Sequence, residues 1–279
     1  MKLLATARFS DTVVKLAKLS QSNSDGLPEV AFVGRSNAGK SSCINLICNR
    51  RRLAFSSRTP GRTQALNLFA VGPPGLPGPD GVDTVRPVGY LVDTPGYGFA
   101  AASQDAKRSW QTLAGDYIRQ RGPLAGVVLM VDIRRELTDL DRQLLSWTPP
   151  DIPLVIVLTK ADKLGRQQAR QAMRKVAQDQ LLAGRQASLL VLLFSTLSRI
   201  GVEDLQLAVE ALLTGAAVDW AARVRIAGET APLFSDPHTR PGPKAPDNVP
   251  AQPAPAPAAL QADAAAPNLL APQPAGTEK

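Results

Sequence analysis

The chain has 279 residues, 44% of them hydrophobic, a formal net charge of +8 and a single histidine, His238. That histidine sits in a proline-rich stretch, which excludes a Ser-His-Asp triad, a Cys-His pair and histidine-based metal sites from the folded part. No apolar run reaches the roughly 18–20 residues that span a bilayer, and Cys43 and Cys48, on different faces of one expected helix, do not suggest a disulfide or zinc site.

Residues 1–27 are expected to be an N-terminal extension. Its start, "MKLLATARFSDTVVK", is broken by Arg8, Asp11 and Lys15 and lacks the uncharged core of a signal peptide. A soluble, cytoplasmic protein is therefore expected. From 28 to 216 short β-branched runs alternate with longer amphipathic segments, an α/β pattern. In chain order the expected strands are 29–33, 63–71, 87–93, 126–132, 153–159 and 188–194. The expected helices are about 40–48, 104–121, 138–147, 166–183 and 202–215, with Thr138 as the N-cap of the third. Strands apolar on both faces suit a sheet covered by helices. The prediction is a six-stranded, mostly parallel sheet flanked by helices.

Two segments stand apart. "GPPGLPGPDGVD" (72–83) reads as Gly-X-Y triplets, far too few for a collagen helix, so 72–86 is expected to be a Gly/Pro-rich insertion joining two antiparallel strands. Residues 217–279 are expected to be a linker and a disordered Pro/Ala-rich tail, because twelve of the 24 prolines fall beyond Glu229 and no periodic apolar face remains. Whether that tail docks a partner or is passive stays open.

"GRSNAGKS" (34–41) fits G-x-x-x-x-G-K-[ST] between an expected strand and an expected helix. Gly34 and Gly39 let the backbone turn so that successive amides face a phosphate, and the helix start adds partial positive charge. Lys40 would reach the β- and γ-phosphates, and Ser41 would offer its hydroxyl to Mg²⁺. Further on, "TKAD" (159–162) closes the fifth strand. Both Asp162 oxygens can accept from guanine N1–H and N2–H₂, donors that adenine lacks, while Lys160 lays its stem along the base. "FST" (194–196) is placed to meet the base through backbone amides. Asp93 ends the third strand and suits Mg²⁺ at one remove. Gly96 has an amide for the γ-phosphate. Thr63 is the candidate hydroxyl that joins Mg²⁺ only with GTP; its plainer reading is an ordinary strand-starting threonine.

Five segments stand in order: "GRSNAGKSS", "TPGRTQALNLF", "DTPGYG", "TKADK" and "FSTLSRIG". Together they resemble the EngB (YihA/YsxC-type) group of bacterial ribosome-biogenesis GTPases, over roughly residues 8–216. The resemblance implies a P-loop NTPase with a Ras-like G domain over 28–216, Mg²⁺-dependent, binding GTP and GDP, and slow in intrinsic turnover. It implies partners in the large ribosomal subunit precursor and its rRNA, a monomer without a membrane span, and a link to septation. By position it assigns nucleotide contact to Gly34, Arg35, Ser36, Asn37, Ala38, Gly39, Lys40 and Ser41; to Gly61, Arg62, Thr63, Gln64 and Ala65; to Asp93, Thr94, Pro95 and Gly96; to Thr159, Lys160, Ala161 and Asp162; and to Phe194, Ser195 and Thr196. Ser41 and Thr63 would be the Mg²⁺ ligands. The chain departs from the group at Thr94, where an apolar residue is common, in the insertion and in the tail.

Tyr97 stands where Ras-type switches carry a glutamine that orients water. Catalysis is therefore expected to rest on Lys40 and on Asn37, since in several related GTPases an asparagine here helps bind K⁺ in place of an arginine finger. The alternative is that Asn37 only hydrogen-bonds its loop, or that a ribosomal group completes the site. From Val30 to Pro79 there is no acidic residue, while Arg50, Arg51, Arg52, Arg58 and Arg62 cluster beside the expected switch. This suits rRNA phosphates; the alternative is a solvated loop serving the nucleotide. Two other functions remain in view at this point. One is a GTP-regulated adaptor for cell division. The other is a metabolic kinase using ATP, against which Asp162 argues.

Overall fold

The computed structural model describes residues 3–54, 65–73, 75, 86–98, 104–185 and 188–216. Of the expected features, Gly61–Gln64, Arg58, most of the 72–86 insertion and the 217–279 tail lie outside the described residues.

Seven strands form one sheet: β1 (Arg8–Val13), β2 (Glu29–Gly34), β3 (Leu66–Val71), β4 (Gly89–Asp93), β5 (Leu124–Asp132), β6 (Leu154–Thr159) and β7 (Leu189–Leu193). Their order across the sheet is β1-β3-β4-β2-β5-β6-β7. The β1–β3 and β3–β4 pairs are antiparallel and the other four parallel. The expected six-stranded sheet is thus corrected to seven. The extra strand, "RFSDTV", was hidden because it is an edge. Its register shifts between Phe9 and Asp11, only Val13 is buried, and no period of two survives. The segment before and after it also joins the core, through Leu4, Ala7 and Leu19.

The helices are α1 (Leu19–Ser22), α2 (Lys40–Ile47), α3 (Gln104–Gln120), α4 (Asp139–Trp147), α5 (Arg166–Ala177) and α6 (Val202–Thr214). The helix expected to run to 183 stops at Ala177. Asp179 takes an extended backbone, accepts from the Leu181 amide and starts a separate 3-10 turn at Gln180–Leu182. Thr138 caps α4 in a full capping box with Asp141.

Every residue of β2 is buried, as a strand between two parallel neighbours should be. Its first residue, Glu29, is fully buried yet partnered by Arg121 (2.6 Å), Tyr117 (2.8 Å) and Asn23 (2.7 Å), so its charge carries no unmet desolvation. The other end matters more for function. β2, β4, β5 and β6 finish at Gly34, Asp93, Asp132 and Thr159, along the carboxyl edge where open α/β sheets bind ligands.

Candidate functional site

The segment after β2 folds as a phosphate loop because two of its glycines permit it. A Cβ at Gly34 would lie 2.5 Å from the Met130 carbonyl oxygen of β5, so no other residue lets the strands approach this closely. Gly39 has φ +100° and starts α2. Asn37, at φ +62°, is exposed. Lys40 is buried and folds back over the loop, donating to the carbonyls of Gly34 (3.0 Å) and Arg35 (3.4 Å). Burial lowers its pKa, against the opposing pull of Asp93.

Ser41 Oγ donates to Asp93 Oδ2 at 3.2 Å. The other oxygen, Asp93 Oδ1, is buried and has no hydrogen-bond partner. Burial pushes the Asp93 carboxyl up to about 6, with Lys40 and Ser41 pulling the other way. A buried orphan oxygen is costly. Beside a hydroxyl it is the oxygen donor set that suits a hard divalent cation, so these residues fit Mg²⁺. Among the described residues no group of three or more His, Cys, Asp or Glu could hold a metal without help. A cation here would need phosphate oxygens as well.

The segment after Asp93 is pinned at every step. Thr94 Oγ1 donates to the Phe32 carbonyl (2.9 Å), which shows how a hydroxyl is tolerated where an apolar residue is common. The Pro95 carbonyl accepts from Trp110 Nε1 of α3 (2.8 Å). A Cβ at Gly96 would lie 2.9 Å from both Lys40 Nζ and Ser36 Cα, so glycine allows this segment to close on the phosphate loop. The Ser36 amide then donates to the Tyr97 carbonyl (2.7 Å).

Tyr97 turns inward. Only 3% of it is exposed, its ring lies 4.7 Å from that of Trp110, and its hydroxyl donates to Asp141 of the α4 capping box. Burial, reinforced by Asp141, raises its pKa well above the ordinary phenol value. The side chain is therefore a neutral core anchor.

The base-reading segment is held from two sides. Lys160, at φ +59°, donates to the Asn37 carbonyl (3.1 Å) and to Asp132 Oδ2 (2.8 Å). Asp132 also grips Arg134, which holds its carboxyl well below the usual range, with Lys160 adding to the effect. Thr159 Oγ1 bonds the Val131 carbonyl (3.1 Å). Asp162 Oδ1 accepts from Ser195 Oγ (2.6 Å), and that bond, with Lys163 beside it, lowers the Asp162 pKa. One oxygen is thus partly fixed before any base arrives. Ala161 is buried, and its amide donates to the Phe194 carbonyl (3.1 Å).

Of "FST", expected from the sequence to meet the base through backbone amides, Thr196 is exposed, while the Phe194 and Ser195 amides are engaged within the fold. Both donate elsewhere, to the Leu158 (2.9 Å) and Ile200 (3.1 Å) carbonyls. Ser195 acts instead through its hydroxyl, which also accepts from Leu197 and Ser198. Of the remaining expected residues, Arg35 reaches Gly98 (3.5 Å), Ala38 is buried in the loop, and Ala65 is buried just before β3. Thr63, with Gly61, Arg62 and Gln64, lies outside the described residues. Sequence reasoning missed Asp132, Asp141 and Trp110. Asp132 had a usable signal: it ends a strand as Asp93 does.

A family described as "50S ribosome-binding GTPase" matches residues 29–160. Among curated relatives, a "Probable GTP-binding protein EngB" of Ralstonia nicotianae is 48% identical over 213 residues, covering 74% of this chain and 86% of the relative. One of Burkholderia thailandensis is 46% identical over 222 residues, covering 78% and 95%. A solved structure described as "Crystal structure of a probable GTP-binding protein engB" is similar at a TM-score of 0.47 and 17% identity, covering 67% of this chain and 99% of that one.

Proposed function

This chain belongs to the EngB family of GTP-binding proteins, and from that premise we propose that it is a Mg²⁺-dependent GTP switch assisting assembly of the large ribosomal subunit. It binds guanine nucleotide and hydrolyses GTP. The observation that carries the reading is the convergence of Lys40, Ser41, Asp93 and Gly96 at one edge of the sheet, with Asp162 held by Ser195 at the same edge.

In this reading residues Gly34 to Ser41 cradle the phosphates, and Lys40 leaves its loop carbonyls for phosphate oxygens. Gly96 turns its amide to the γ-phosphate. Ser41 and Thr63 would hold Mg²⁺, with the orphaned Asp93 Oδ1 close by. The ion would neutralise phosphate charge. Lys160 lies along the guanine and Asp162 accepts from its edge. Thr63 would engage Mg²⁺ only with GTP, which would make its segment respond to the nucleotide state. Asn37, exposed and in the left-handed conformation, would help hold a K⁺ ion that supplies positive charge in place of an arginine finger. A neutral, inward-turned Tyr97 supports that assignment, because it leaves position 97 without a water-orienting side chain.

The ribosomal partner is supported by the matched family's own description and by the acid-free basic run from Val30 to Pro79. We place the protein in the cytoplasm as a monomer; among the described residues no helix is long and apolar enough to cross a membrane. The test is sedimentation of the full chain with large-subunit particles. Co-migration with a non-hydrolysable GTP analogue, and much less with GDP, is expected. Migration with septal proteins and never with the particle would favour a division adaptor instead.

A further inference from the structure

α5 follows the base-reading segment after three intervening residues, and its composition is unusual. Lys163 to Gln178 contains Lys163, Arg166, Arg170, Arg174 and Lys175 and no acidic residue. Arg166, Arg170 and Arg174 are spaced i, i+4, i+8, so they lie on one face, about 6 Å apart along the axis. The buried contacts, Ala169, Met173 and Val176, lie about a quarter-turn round the helix from that row, and the helix packs on β7.

Arg170, at the centre of the row, is half-buried with its Nε inside the protein, while Arg166 and Arg174 stand exposed on either side of it. Like charges four apart on a helix repel and weaken it. Arg166 sits in the first turn, where the helix dipole disfavours a cation. A merely solvated helix would interleave glutamates, and this one has none. Arg166 and Arg174 are exposed and have no carboxylate partner among the described residues. A groove of about 320 Å³ runs along another side of the helix, lined by Gln168, Gln171 and Lys175 and by none of the three arginines. There Lys175 pairs with Glu136 and Arg142 with Asp179 (2.8 Å), while Arg135 adds a further cation.

We propose that the outer face of α5 is an RNA-binding surface, which takes the phosphates of structured rRNA independently of the basic run at the switch. It rests on the ribosomal reading above. The chemistry favours RNA over an anionic membrane. The exposed neighbours of the arginines are Gln167, Gln168 and Gln171, with Gln178 just past the helix; they bond phosphate and 2′-hydroxyl groups but offer nothing to insert among acyl chains. No aromatic residue lies on the helix, so bases are not stacked there.

The test uses the full chain with Arg166→Gln and Arg174→Gln combined, beside Arg51→Gln with Arg52→Gln. Binding is measured to large-subunit particles, to a 30-base-pair RNA duplex and to vesicles containing phosphatidylserine, across a salt series. The α5 pair should weaken particle and duplex binding about tenfold at moderate salt and make the log–log salt slope shallower by roughly 2. Melting temperature and GTP turnover of the free protein should be unchanged. Unchanged particle binding and slope, or a loss confined to vesicles, would overturn the proposal while leaving the ribosomal reading intact. If the unmodified protein binds neither particle nor duplex, both fail together.

Discussion

The Tyr97 hydroxyl donates to the buried carboxylate of Asp141, and this bond ties the loop that carries Gly96 to the first turn of α4. The Trp110 indole holds the preceding carbonyl from α3. A loop gripped from two helices presents its amide in one place, which is what a donor aimed at developing charge requires.

Tyr97→Phe removes that hydroxyl and leaves Asp141 with the amide and hydroxyl of Thr138. The expected loss of unfolding free energy is about 1–3 kcal/mol, read by denaturant titration. GTP turnover should change little. Unchanged stability with collapsed turnover would mean that the hydroxyl takes part in the chemistry.

Asp132→Ala tests how the base-reading lysine is placed. Without Asp132, Lys160 keeps only the Asn37 carbonyl and swings more freely. GTP and GDP affinity should both fall, about tenfold for the roughly 1.5 kcal/mol of one charged hydrogen bond. The turnover of the saturated enzyme should survive. A drop in turnover with intact affinity would argue that Asp132 does not act through Lys160.

Guanine selection should follow Asp162 and its holder. Asp162→Asn is expected to shift preference toward xanthine nucleotides, measured by competition binding. Ser195→Ala frees the Oδ1 oxygen and should weaken GTP binding without changing which base is preferred. An unaltered preference in Asp162→Asn would undo the base assignment.

Ser41→Ala should make nucleotide binding insensitive to Mg²⁺. In the unaltered protein, chelating the ion should raise the nucleotide off-rate sharply; in the variant it should change little. An equal chelator effect in both would remove Ser41 from the cation site.

Much of this was legible in the sequence, and the boundary is physical. "GRSNAGKS" and "TKAD" are local: their roles depend on backbone turns and strand ends that neighbouring residues dictate. Lys160–Asp132 and Tyr97–Asp141 join residues 28 and 44 positions apart. No period or motif announces such contacts, so Tyr97 read as a gap in a catalytic pattern when it is a buried anchor. The Ser195 hydroxyl was missed for a related reason. Which group of "FST" faces the base segment depends on where Ile200 and Leu158 sit. β1 was lost because an edge strand buries too little to keep its alternation.

We propose that hydrolysis runs without residue 97 and relies on a cation held at Asn37. The most direct measurement is single-turnover GTP hydrolysis in K⁺ and in Na⁺ for the unaltered protein, Tyr97→Phe and Asn37→Ala. Faster turnover in K⁺ is expected for the first two, with no difference between the ions for Asn37→Ala. Equal rates in both ions for all three, or a rate lost only in Tyr97→Phe, would contradict it.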